Sequence, residues 1–384
     1  MSAKRQTYIL ATHMSYTTGP KVVIVGAGVV GGAAAHYLTL AGAKVTIVDK
    51  DPIGTHASGL ALGGLGPLSG AGIPYPIGDL SIESWQLHLD LSESLTDEYD
   101  FDLERSLNIV FDNQQLETIR SLLDWAKSQD GFKVEWLDKS DVLDIEPRLA
   151  SAFLGAVVTE PTGIINTYKF NNALISEAQH NGAELVVGEV SNIQSNGSAC
   201  NVSIEGGRTL SCDRVIVAMG PWSRQASEWL GFNIPITPLK GQILRLKADG
   251  PPIPHISWSG ADIYGSYAVT KSDGLVWVGT TEEHAEFDDR PSSIGRQTIM
   301  RSVVSILPHL AQGEIIKHTA CLRPLSPDGL PILGFLPGNP KIVIASGAGR
   351  KGILLGPVMG KSAADLVLNG YTSSDISALS PDRF

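Results

Sequence analysis

Three glycines spaced as Gly26, Gly28 and Gly31, with an acid further on at Asp49, could hold the ADP half of a dinucleotide. They lie in KVVIVGAGVVGGAAAHYLTLAGAKVTIVDK, residues 21–50, which reads as strand, tight turn, helix and second strand. Each position meets its own physical demand. Gly26 permits the sharp turn out of the strand, Gly28 lets backbone N–H groups approach a pyrophosphate, and Gly31 lets the helix lie close on the sheet. The helix N-terminus then offers unpaired amides and a positive dipole end to the phosphates. Asp49 falls about 20 residues beyond Gly28, where a carboxylate can accept hydrogen bonds from a ribose diol.

The rest of the chain must supply the sheet around this unit. Residues 81–99 and 114–129 read as amphipathic helices, and 167–181 as a third that stops at Asn-Gly. Short alternating strands follow at 184–194, 199–205 and 214–218, with Gly206-Gly207 as a hairpin signal. After its arginine, RVIVA at 214–218 is continuously apolar, as a strand buried on both faces should be. Beyond Pro235, alternating strands are expected around 239–246, 263–270 and 275–280, with a helix at 294–307. The buried-strand texture returns in KIVIA, 341–345, before a glycine loop and a helix at 356–368.

This pattern predicts an α/β protein in which a Rossmann-like nucleotide domain is interleaved with an α+β substrate domain of mostly antiparallel sheet. The nucleotide domain is expected from 21–80, 148–235 and 336–384, the substrate domain from 81–147 and 236–335, and residues 1–20 as a leader.

Composition narrows the function classes. A net charge of −11 with no basic stripe argues against a nucleic-acid partner. Cys200, Cys212 and Cys321 have no CxxC spacing, which argues against a disulfide scaffold or zinc site and suits a reducing compartment. No apolar run approaches the ~18 residues of a membrane span. The first 20 residues lack a signal-peptide core, so the expected location is the cytoplasm.

Four segments carry a more specific resemblance. They are the glycine motif; GTHASGLALGGLGPL at 54–68; VAMGPWS at 217–223; and CLRPLSPDGLPILG at 321–334 coupled to IASGAGRKGILLG at 344–356. In this order they resemble the glycine oxidase and D-amino-acid dehydrogenase family of FAD flavoproteins, which includes sarcosine oxidase. Glycine oxidase is the nearest in texture.

The resemblance implies FAD in a GR2-type domain, with contacts at Gly26, Gly28, Val29, Val30 and Gly31, and at Asp49 and Lys50 beside the ribose. It places Ala57, Ser58, Leu62, Gly63 and Gly64 along the pyrophosphate and ring, Val190 at the adenine, and Ala218, Gly220 and Trp222 in the same wall. Ala348, Gly349, Arg350, Lys351, Gly352, Ile353 and Leu354 would lie at the pyrimidine end of the flavin. There a helix N-terminus suits the N1/C2=O edge, where negative charge collects on reduction.

For the substrate, the resemblance implies that Arg323 of the RP motif forks onto a carboxylate, for which a planar guanidinium is the matching group. Arg350 matches a second substrate-side arginine, with a role in the cofactor loop as the alternative. Tyr267 matches a carboxylate-binding tyrosine, and Tyr264 competes for that place. Glu282 stands where characterised glycine oxidases carry an apolar residue; it would attract a substrate ammonium or remain a solvated acid. Cys321 occupies the position of the flavin-linked cysteine of sarcosine oxidases, and His56 resembles the histidyl-flavin segment of dimethylglycine dehydrogenases. The RP after Cys321 and the poorly aligned glycines after His56 favour non-covalent FAD.

The implied reaction is oxidation of an amino acid's C–N bond, by hydride transfer from the α-carbon to flavin N5, to an imine that hydrolyses to an oxo acid and an amine. The implied substrates are glycine, a D-amino acid or an N-substituted glycine. The alternative is a flavin-bearing subunit of a larger dehydrogenase that passes electrons to a partner or quinone; a homo-oligomer fits either. A tRNA-modifying role is disfavoured by the acidic balance. Lys240 and Lys271 are candidate oxygen-activating lysines with no better signal than surface residues.

Overall fold

The computed structural model describes residues 19–197, 199–259 and 265–384, so residues 1–18 of the expected leader, and Tyr264, lie outside the described residues. In the strand Lys21–Val25, alternate residues face opposite layers. Val22 and Ile24 pack with Ala34, Leu38 and Val358, whereas Val23 and Val25 pack with Val202, Ile204 and Ile344. Burial on both faces is why the strand is continuously apolar from residue 22 to residue 25.

This strand lies inside a six-stranded sheet, in the order Ile332–Leu336, Asn339–Ser346, Arg214–Val217, Lys21–Val25, Lys44–Asp49 and Glu184–Val187. All neighbours run parallel except the first pair. Helices Val29–Leu40 and Gly352–Asn369 pack together on one face. A three-stranded antiparallel sheet of Val190–Ser195, Cys200–Ile204 and Thr209–Cys212 packs on the other.

The stretch 184–194 is therefore two strands rather than one. It divides at Gly188, where a side chain's Cβ would lie 2.6 Å from Ile204 Cγ2, so the chain crosses between sheets only without a side chain.

The second large sheet has nine strands and is mostly antiparallel. Thr237–Lys247 pairs with Glu314–Leu325 on one edge and Val276–Gly279 on the other; Ser266–Thr270, His255–Trp258 and Asp102–Val110 continue the order. The strand Gly155–Ile164, within the 148–235 segment expected in the nucleotide domain, pairs here instead, with Asp102–Val110 and Lys133–Asp138. Gly64–Leu65 pairs with its end as well, so three antiparallel partners claim its backbone, a demand that its own sequence does not display.

Helix Gly352–Asn369 starts four residues before the expected 356 and contains Pro357. A proline there cannot donate to the carbonyl four residues back, that of Ile353. His88 Nε2 takes that place, donating to Ile353 O at 3.0 Å and lying 3.1 Å from Leu354 O. Burial pulls the His88 pKa down to about 4, so the ring is neutral with its proton on Nε2. A buried histidine thus replaces the bond the proline removes, and the helix keeps its first turn where the glycine loop delivers it. Among the described residues no helix is long and apolar enough to cross a membrane.

Candidate active site

The carboxyl ends of the parallel strands and one face of the nine-stranded sheet line a single cavity of about 450 Å³. Ligands of open α/β sheets bind at such strand ends. Gly26 leaves its strand at φ +110°, and a Cβ there would lie 2.2 Å from Ala218 O. Gly28 precedes helix Val29–Leu40, which has no side-chain cap; the Val29 N–H donates to Ser58 Oγ at 3.0 Å.

Asp49 closes the second strand. Its Oδ2 accepts from Ala27 N at 2.6 Å and its Oδ1 from Asp51 N at 3.1 Å. Two backbone donors fix the carboxylate while each oxygen keeps a second acceptor position. Bare glycine backbone, a helix start without a side chain at its N-cap and a fixed acceptor suit a pyrophosphate and a ribose diol, so the residues present fit a dinucleotide.

Val29, Val30, Lys50, Ala57, Ser58, Leu62, Gly63, Gly64, Val190, Ala218, Gly220 and Trp222 all line this cavity, as do Ala348, Gly349, Arg350, Lys351, Gly352, Ile353 and Leu354. Gly31 does not. Its Cβ would lie 2.0 Å from Gly26 O, so it serves the cavity through the closeness of helix to strand rather than by contact. Lys50 lies 3.8 Å from Glu189 and over the Trp222 ring at 5.0 Å. His56 Nε2 meets Asp51 Oδ2 at 2.8 Å, with its ring 4.7 Å from that of Trp222. Cys321 is buried in the wall, and burial raises its thiol pKa.

Two glycines on the sheet face make room for the larger polar groups. A Cβ on Gly241 would fall 2.2 Å from Arg323 Nη1, and one on Gly279 would fall 2.5 Å from the Tyr267 hydroxyl. The register explains this. Cys321 lies opposite Gly241 and Tyr267 opposite Gly279, so Arg323, two residues on from Cys321, reaches across the first glycine on the same face. Arg323 Nη2 donates to Thr280 Oγ1 at 2.8 Å and Nη1 to Thr281 O at 3.3 Å. Burial raises the Tyr267 pKa, keeping its hydroxyl protonated. Arg350 and Glu282, expected as separate contacts, instead meet each other: Nε and Nη2 of the arginine engage both carboxylate oxygens.

Two buried lysines and a half-buried one stand around the site, and the sequence misplaced the buried two. Lys240 and Lys271, expected to resemble surface residues, are only 2% and 8% exposed. Lys240 lies 3.7 Å from Asp288. Lys271 Nζ donates to Leu62 O and Ile165 O, both at 2.6 Å, and sits over the Trp277 ring at 4.3 Å. Burial lowers its pKa to about 8. Ile165 in turn donates its N–H to Gly63 O at 3.0 Å, so Lys271 ties down the loop that carries three cavity glycines and Leu62. Lys351, in the wall, donates to Gly66 O at 3.2 Å and to Ser69 O, and burial lowers its pKa to about 8 as well.

His255, unanticipated because nothing around it forms a motif, also lines the cavity. Burial pulls its pKa down to about 4, and its Nδ1 is buried without a partner.

Lys271→Met is expected to leave two inward carbonyls without their donor, at roughly 1–3 kcal/mol each, partly offset by removing a buried cation. A net loss of about 2 kcal/mol in urea unfolding, with weaker flavin retention on dilution, is the expected result. Unchanged retention would show that the loop holds its shape without the lysine.

Known proteins resemble this chain along most of its length. Glycine oxidase of Geobacillus kaustophilus is 31% identical, covering 94% of this chain and 96% of that protein. Glycine oxidase of Pseudomonas aeruginosa is 28% identical over 90% and 94%. The crystal structure of glycine oxidase from Geobacillus kaustophilus superposes with a TM-score of 0.89 at 29% identity, covering 95% of this chain and 99% of that one. The family model for FAD dependent oxidoreductases (DAO) matches residues 21–366. A dinucleotide cradle opening onto a sheet face that bears an arginine and a tyrosine is thus an FAD site, and the chain belongs to the FAD dependent oxidoreductase family as an oxidoreductase of amino acids or amines.

Proposed function

We propose that the protein oxidises the C–N bond of a small amino acid (glycine, a D-amino acid or an N-substituted glycine) to an imine, which water converts to an oxo acid and an amine. The observation that carries this reading is Arg323: a guanidinium in the cavity wall whose hydrogen bonds, among the described residues, reach only the neutral oxygens of Thr280 and Thr281. A substrate carboxylate is the charge it lacks.

In this reading Arg323 takes the carboxylate in a forked pair, and the protonated Tyr267 hydroxyl donates to the same group. Two contacts on one end of the molecule fix where its α-carbon stands. FAD, when bound, accepts the electron pair that leaves the C–H bond. Asp49 would hold the ribose, and the start of helix Val29–Leu40 the pyrophosphate. The wall formed by residues 348–354 would face the pyrimidine end of the ring.

FAD is proposed to be held without a covalent link. The Cys321 thiol is kept protonated by burial, and one of the two His56 ring nitrogens, Nε2, is engaged by Asp51. We further assign the cofactor to the unit built on the six-stranded sheet and the substrate to that built on the nine-stranded sheet.

Anaerobic mixing with glycine, sarcosine, D-alanine and D-proline tests the proposal. At least one should bleach the flavin absorbance and leave the matching oxo acid. A flavin that stays oxidised with all four, while dithionite still reduces it, would remove small amino acids as substrates.

A further inference from the structure

Both cavity arginines line the same wall, but their electrostatic states differ. Arg350 is held at two points by the Glu282 carboxylate, whereas Arg323 makes no ion pair with a carboxylate among the described residues. One short segment sets both conditions: Thr280 and Thr281 supply neutral oxygens to Arg323, and the next residue neutralises Arg350. Glu283 cannot exchange roles with its neighbour, because its Oε1 accepts from Gln242 Nε2 and Thr281 Oγ1, each at 2.5 Å.

We infer that Glu282 is a specificity-determining residue: by occupying Arg350, it leaves the cavity one guanidinium for anions and selects substrates with a single carboxylate over those with two. The inference rests on the carboxylate reading of Arg323 given above. A second acid group on a substrate held by Arg323 has two choices at this end of the cavity. It either meets the Glu282 carboxylate as a like charge on a partly exposed wall, or displaces it from a two-point pair. Neither choice faces a substrate with one carboxylate. Without the Glu282 carboxylate, the positive charge of Arg350 on the same wall is no longer offset by it, and the preference shifts toward diacids.

Non-reacting acids separate binding from turnover. Holoenzyme is titrated with acetate, malonate and succinate, and dissociation constants are read from the perturbed flavin spectrum. The wild-type protein should bind acetate in preference to both diacids. In Glu282→Gln the affinity for the better diacid relative to acetate should rise at least tenfold, and Glu282→Asp should retain the wild-type order. Glu282→Gln combined with Arg350→Met should cancel the gain, since that positive charge is then gone. Arg350→Met alone, which bares the Glu282 charge, should move the ratio the opposite way and serves if Glu282→Gln does not retain flavin. A ratio within twofold of wild type in a flavin-loaded Glu282→Gln overturns the inference while leaving Arg323 its role. If no acid perturbs wild type or variant, the carboxylate reading of Arg323 falls together with it.

Discussion

Arg323→Ala is expected to keep its flavin and lose roughly 10²–10³-fold in kcat/KM for amino acids, the equivalent of about 3–4 kcal/mol for truncating one partner of a buried charge pair. The loss should fall mainly on KM, because the proposed contact is to the unreactive carboxylate and is made before and during reaction alike. Flavin is expected to stay because the arginine rests on the sheet face over Gly241, away from the glycine turn at Gly26 and the acid at Asp49. Amines without a carboxylate supply the control: their turnover, where measurable, should change far less. An unaltered KM for amino acids in flavin-loaded Arg323→Ala would remove the carboxylate role and with it the proposed substrate class.

Gly31→Ala should produce the largest defect in cofactor binding from the smallest change in the chain. A methyl group there would lie 2.0 Å from Gly26 O, and the contact is with backbone, so no side chain can turn aside. Helix Val29–Leu40 must lift from the sheet, or the turn at Gly26 must open. Either response moves the helix start away from the phosphates it is proposed to meet. Overpacking of this kind costs ~1–3 kcal/mol in stability. The effect on FAD should be larger, at least ~100-fold weaker binding, because several N–H groups lose their alignment together. Fluorescence titration of apoprotein with FAD measures it. Affinity within a few-fold of wild type would mean that the close approach of helix to strand does not set the geometry of the phosphate site.

The residues that were legible in sequence are those whose demands are local. Gly26, Gly28 and Gly31 answer to a turn and a close approach within one strand–helix unit, and Asp49 ends the next strand; all four stand where their spacing placed them. The two-sided burial of Lys21–Val25 and Arg214–Val217 was written as continuous apolar texture. Strands such as Asp102–Val110 and Glu314–Leu325 gave no such signal, because several of their residues face solvent and only distant partners organise them.

Lys271 shows the limit most clearly. Its ammonium is buried because carbonyls 209 and 106 residues away accept its hydrogen bonds, and no window around TKSDG contains either of them. The same holds for Glu282 and Arg350. Each was visible as a candidate, but a separation of 68 positions along the chain hid that they satisfy one another.

The order of the parallel sheet also governs when the protein can first capture its cofactor. Asn339–Ser346 lies beside Arg214–Val217, and the glycine loop it delivers forms one wall of the FAD cavity. A nascent chain that has emerged only as far as residue 330 has the complete glycine motif but an open, apolar strand edge where that neighbour belongs. Until Asn339–Ser346 pairs with that edge, the cavity lacks the wall that its glycine loop forms, so the cofactor site is completed only by the last third of the chain.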